Sequence, residues 1–156
     1  MSVVRGSKLS KGSTECLFIF SSRPENTKDP KFGFESPQRY KSIVRHSYNL
    51  EPLAISEAFL AMWRVCLKDL TRDEFDEKYT EKLSKTEWLT QVHDILQAAF
   101  KVSAVITSGI GNVLIHCHSG INCTPVLSSL AQVICCEHYR TIKGFGVLVQ
   151  KEWCYF

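Results

Sequence analysis

An α/β fold with a central sheet flanked by helices is what this sequence predicts, and three observations predict it. The run VLIH at 113–116 is short and almost wholly apolar, as a buried strand is. The clearest amphipathic helix pattern in the chain, from residue 88 to residue 103, precedes it. A second apolar-periodic segment follows, opening where Thr124 and Pro125 suit the start of a helix. Helix, strand and helix in succession form a compact α/β unit. At 156 residues, with 44% hydrophobic and 22% charged residues, the chain suits one soluble domain with a real core.

Residues 1–15 are polar and read as a loose leader, and CLFIF at 16–20 reads as a short strand. Pro, Asn, Lys, Asp, Gly and Ser then dominate 21–37, a loop composition, and 38–46 is either extended or irregular. Pro52 opens a helix running to about residue 70. Its Leu53, Ile55, Phe59, Leu60, Trp63, Val65 and Leu67 suggest a broad buried face. The charged stretch TRDEFDEKYTEKLSKTE is a solvent-facing helix or a linker. Ser84 or Thr86 is placed to cap the next helix, in which Trp88, Leu89, Val92, Ile95, Leu96, Ala99, Phe100 and Ser103 recur at three- and four-residue steps. His93 falls close to that face and reads as structural. A turn at 108–112 leads into the strand, and Val126, Leu127, Leu130, Ala131, Ile134 and Cys135 share one face of the last of these helices.

A net charge of +3, from 19 basic and 16 acidic residues, is compatible with an anionic partner and too small to indicate nucleic acid or a membrane surface. No nucleic-acid partner is expected. The seven cysteines are odd in number, include the adjacent pair Cys135 and Cys136, and show no CxxC spacing, which argues for a reducing compartment rather than a disulfide framework. The apolar stretch at 16–20 is too short for a secretory signal, and a cytoplasmic location is expected.

The stretch VLIHCHSGINCTPV carries the chemistry. A strand, a loop containing Gly120 and a helix start at Thr124 lay out an anion cradle, in which loop amides and a helix N-terminus face a phosphate. Cys117 stands at its mouth as a candidate nucleophile. Cys117, His118 and Cys123, with His116, are also soft metal-ligand types, but their spacing fits no ordinary zinc pattern, and neither a metal nor any other cofactor is assigned.

Extended to VLIHCHSGINCTPVLSSLAQVICCEHYRTIKGFGVLVQKEWCYF, this region resembles the signature region of the myotubularin family, phosphoinositide 3-phosphatases of the cysteine phosphatase superfamily. The resemblance is strong over 113–153 and weaker back to Glu87, Trp88 and Leu89. It implies a partial phosphatase domain at 81–156, after a poorly matched leader with a loop and a helix at 1–80. Aromatic and apolar residues persist to the last position, as expected of a truncated or degenerate copy.

By the same resemblance, Cys117 matches the family's nucleophile and Gly120 the glycine that lets the loop wrap its ligand. The phosphate-binding loop would comprise His118, Ser119, Gly120, Ile121, Asn122, Cys123 and Thr124. Ser119 and Asn122 stand where active members carry loop aspartates, one of them the general acid. Cys123 stands where they carry arginine, Ile121 where they carry tryptophan, and His118 in place of a small serine. The loop at 117–123 is thus degenerate, and Cys117 is a vestigial nucleophile.

Arginine supplies paired, permanently charged donors to phosphate, and a thiol does not. Losing a transition-state donor of this kind costs about 3–4 kcal/mol, and losing the acid costs roughly another hundredfold in rate. The sequence therefore predicts an impaired enzyme that acts through an active myotubularin relative as heteromer, or through residual binding of a phosphoinositide headgroup. Weak hydrolysis of phosphatidylinositol 3-phosphate through a phosphocysteine on Cys117 is the alternative, with His118 as the only obvious substitute acid. Peripheral contact with endosomal membranes follows from the resemblance, and Arg140 and Lys143 are placed to help retain the fold near lipid.

Overall fold

Four strands form one sheet in a computed structural model that describes residues 2–4, 16–23, 42–70 and 78–154. They are β1 (Ser2–Val4), β2 (Cys16–Ser21), β3 (Ile43–Ser47) and β4 (Gly111–His116), in the spatial order β1-β4-β2-β3. β2 pairs in parallel with both β3 and β4, and β1 adds an antiparallel edge to β4. The leader at 5–15, the loop at 24–37, residues 38–41, the charged run at 71–77 and the aromatic end at 155–156 lie outside the described residues.

The all-apolar character of CLFIF follows from its interior position in the sheet. Ile19 and Phe20, whose side chains point to opposite faces, are 1% and 0% exposed. Burying Phe20 fully contributes about 1.5–3 kcal/mol. Three of the four strands thus come from before residue 80, and Phe20 and Leu50 sit in the same core as Val113 and Ile115.

Five α-helices accompany the sheet among the described residues: α1 (Pro52–Leu70), α2 (Tyr79–Ser84), α3 (Trp88–Ser108), α4 (Cys123–Cys135) and α5 (Ile142–Trp153). A 3-10 turn (Glu137–Arg140) joins the last two. α3 packs on β4 and α4, α1 on α3, and α5 on α4. Ala98, Ala99 and Val102 of α3 meet Leu127 and Ala131 of α4 over Phe20, Val113 and Ile115. Small side chains at that crossing let the helices approach the sheet and each other closely.

Several local expectations shift. Among the described side chains of α1 only Ala58 is buried, whereas Leu53, Phe59, Leu60, Trp63 and Leu67 are exposed. The broad apolar face of α1 is therefore mostly uncovered, with Phe59 stacked on Trp63 and edge-on to Trp88. α3 runs five residues past 103, and its buried line is Ala98, Ala99, Val102, Ser103 and Val105, with Leu89, Leu96 and Phe100 on the exposed side. A 3.6-residue period fixes that a helix has an apolar side, not which half of a wide stripe meets neighbours. His93 is exposed beside Asp94 at 3.1 Å rather than set against the core. Ile134 and Cys135 are exposed at the end of α4. Thr86 Oγ1 accepts from Trp88 N at 3.4 Å although Glu87 occupies the cap position, and α2 has no buried residue, as a solvent-facing helix should.

Candidate active-site loop

The parallel register sets Ser21 of β2 opposite both His116 of β4 and Ser47 of β3, so three strands end along one edge of the sheet. Ligands in α/β folds gather at that edge. Ser22 N donates to His116 O at 3.2 Å and Tyr48 N to Ser21 O at 2.8 Å, which ties the three strand ends together. Cys117 follows β4 directly, and α4 begins at Cys123. A five-residue loop, His118 to Asn122, links the two.

That loop curls around the Cys117 sulfur. Gly120 N donates to Sγ at 3.1 Å and Thr124 Oγ1 donates to it at 3.1 Å. Gly120 adopts φ 80°, in the left-handed region that a side chain disfavours, and this turns its N–H inward. Burial pushes the Cys117 thiol up. The Thr124 hydroxyl, and the amides of Thr124, Gly120 and Asn122, outweigh it and hold the thiol below its ordinary value. Thr124 was expected at a helix start, and it occupies the first turn of α4, yet its hydroxyl serves the sulfur.

Cys123 faces the other way. It is 4% exposed, and its Sγ donates to Leu50 O at 3.0 Å. Burial, and then the neighbouring Cys117 charge, push its thiol up. His118, Ser119, Ile121 and Asn122 are exposed around the rim, with Ser119 Oγ accepting from Ile121 N at 3.3 Å. No residue from 117 to 124 is charged at its side chain in the way Asp, Glu, Lys or Arg is. Among the described residues, no three His, Cys, Asp or Glu side chains converge as metal ligands would.

Sequence reading missed Leu50 and Ser22, which back the loop. Leu50 lies 73 residues from Cys123, and no local pattern marks that contact. Of the basic residues downstream, Arg140 and Lys151 make contacts within the fold. Arg140 Nη1 donates to the last carbonyls of α4, Val133 O at 2.9 Å and Ile134 O at 3.2 Å. Lys151 reaches Gln132, Tyr139 and Glu152. Both hold helices together, and Lys143 is exposed.

A sheet with a parallel centre, whose strand β4 leads into a donor-ringed cysteine at a helix start, defines a partial cysteine-phosphatase-like domain. The chain belongs to the myotubularin family: the model of the myotubularin-like phosphatase domain matches residues 2–156, on both sides of residue 80. It is 32% identical over 150 residues to myotubularin of Xenopus tropicalis, covering 93% of this chain and 24% of that protein. Identity is 44% over 82 residues to phosphatidylinositol-3,5-bisphosphate 3-phosphatase mtm-1 of Caenorhabditis elegans, covering 52% of this chain and 14% of that protein. It is 29% over 126 residues to phosphatidylinositol-3-phosphate phosphatase MTMR7 of Homo sapiens, covering 80% and 18%. The chain spans 24% or less of these curated relatives. Among the described residues no helix is long and apolar enough to cross a membrane.

Proposed function

We propose that this chain is a catalytically impaired relative of the phosphoinositide 3-phosphatases, whose loop keeps an anion cradle and a nucleophile but lacks the cation and the acid for efficient turnover. It acts through residual binding of a phosphoinositide headgroup, at the surface of endosomal membranes, and through pairing with an active relative. One observation carries the reading. At the position where the resemblance puts arginine, Cys123 is buried and donates to Leu50 O, so it offers phosphate neither charge nor a fork of donors.

The backbone part of the cradle supports headgroup binding. The amide of Gly120 points inward and needs no charged side chain to meet an oxyanion. The test is phosphate release from soluble phosphatidylinositol 3-phosphate and 3,5-bisphosphate, run beside amide NMR titration with inositol 1,3-bisphosphate. Shifts confined to 117–124 with release at least about a hundredfold below an active relative are expected. Release comparable to that relative would overturn the impairment.

The lowered Cys117 thiol favours a second reading, slow phosphatase chemistry. The thiolate would attack phosphorus as the P–O bond to inositol breaks, the departing alkoxide would take a proton from water, and water would then cleave the S–P bond. Acid-quenched mass spectrometry that finds phosphate on Cys117 would select it, and its absence after long incubation would reject it.

A further inference from the structure

The apolar stripe that α1 turns to solvent is organised. Leu53, Phe59, Leu60, Trp63 and Leu67 are 42–65% exposed, while Ala58 on the opposite side of the helix is buried. Leu53, Ser56, Leu60, Trp63 and Leu67 recur at alternating steps of three and four residues, the spacing of a seam that packs on another helix. Ser56 does not interrupt it, because its hydroxyl donates to Pro52 O at 2.9 Å. Trp63 is held at the seam by stacking on Phe59 with ring centroids 6.4 Å apart, and Phe59 in turn meets Trp88 edge-on at 5.3 Å.

The charges beside the seam select the helix that fits it. Glu57 and Arg64 flank one side, one heptad apart, and both are exposed. A two-fold axis beside Leu60 brings in a second α1 antiparallel to the first. Leu60 then meets the second copy's Leu60, Leu53 meets its Leu67 and Glu57 meets its Arg64, and the symmetry repeats the last two pairings. In a parallel pair the same two charges face Pro52 and Phe59, which carry none. Antiparallel alignment also sets the helix dipoles head to tail.

We propose that α1 is a self-association face of this chain and that its occupant is α1 of a second copy, antiparallel, with two Glu57–Arg64 pairs along one flank. The overlap runs for about 25 Å and takes the apolar stripe of both copies out of water. Trp63 of each copy packs beside the other's Leu60 as the aromatic anchor of the interface. The inference does not rest on phosphate binding or on the loop at 117–124.

The test is sedimentation equilibrium of the full chain, kept reduced, from about 1 to about 200 µM. The parent is expected to dimerise with a Kd of about 1–100 µM. Leu60→Lys puts like charges on the axis at an exposed position, and it is expected to stay monomeric over that range with the parent's circular dichroism. Glu57→Arg and Arg64→Glu, each alone, set like charges in both pairs and should weaken association at least about fivefold. An equimolar mixture of those two variants puts opposite charges back in both pairs, and heterodimer at the parent's affinity is expected. A parent that is monomeric at the highest concentration would overturn the proposal, as would dimers that survive Leu60→Lys or a mixture no tighter than the variants alone. With a monomeric parent, flotation on phosphatidylcholine vesicles that Leu60→Lys abolishes would give the face to a lipid surface instead, and Leu60-dependent binding of a purified active relative would give it to that protein.

Discussion

The loop at 117–124 and the junction of α4 with α5 lie on successive stretches of chain, and they have treated their polar groups in opposite ways. At the junction Arg140, Thr141, Lys151 and Glu152 all have structural partners. Thr141 caps α5 by accepting from Gly144 N at 3.0 Å, and Arg140 closes the end of α4. Buried Glu152 accepts from Gln132 Nε2 at 2.9 Å with Lys151 beside it at 3.3 Å. At the loop the backbone curl survives, and the side chains that would act on phosphate are neutral or turned inward. Charged side chains hold helices together at the junction, and the loop from 117 to 124 carries none. That division is what the proposed loss of catalysis would leave in a chain that keeps its fold.

The double change Asn122→Asp with Cys123→Arg is the strongest way to break the contrast, since it puts an acid and a cation on the existing curl. Phosphate release from phosphatidylinositol 3-phosphate should rise at least about a hundredfold, while Cys117→Ser on top abolishes it. No rise in a variant that keeps the parent's melting temperature would show that the curl itself is unfit.

Gly144→Ala probes the junction. A Cβ there meets the His138 carbonyl, so the 3-10 turn must move, and urea titration should show a loss of about 1–3 kcal/mol. Parent-like stability would mean that the junction is looser than its contacts indicate.

Glu152→Gln sharpens the comparison through pH. Burial raises the carboxyl, but the bonds from Gln132 and Ser128 and the Lys151 charge outweigh it, so its pKa lies below the ordinary 4.5. A lowered folded pKa means that the unfolded chain binds the proton more tightly. The contribution is complete above 4.5 and is lost as pH falls through the folded value. At neutral pH the variant should be about 1–2 kcal/mol less stable, and the gap should close on acidification. A gap independent of pH would assign the loss to packing alone.

The smallest effect is expected at the loop. Thr124→Val removes the hydroxyl from Cys117 Sγ and should move the pH midpoint of iodoacetamide alkylation upward. An unmoved midpoint would leave the backbone amides as the sole source of thiolate stabilisation.

Much of this was legible in the chain. The buried strand before Cys117, the helices around it and the absence of charge in CHSGINCT are local patterns, set by alternation, period and residue type. The helix faces were read less well. Leu53, Phe59, Leu60, Trp63 and Leu67 announce a core on α1 that the described residues do not cover, because periodicity marks an apolar side without naming what packs on it. Arg140 and Lys151 are exposed, and no local pattern marks their contacts with α4 or its neighbours.

By itself the sequence determined the α/β class, the strand-loop-helix layout and the absence of charge in the loop, since each depends on residues within a few turns of one another. Only the tertiary structure decided that Cys123 points away from the cradle. Its partner is the Leu50 carbonyl, 73 residues distant, and a contact of that range exists only once parallel strands have aligned their ends.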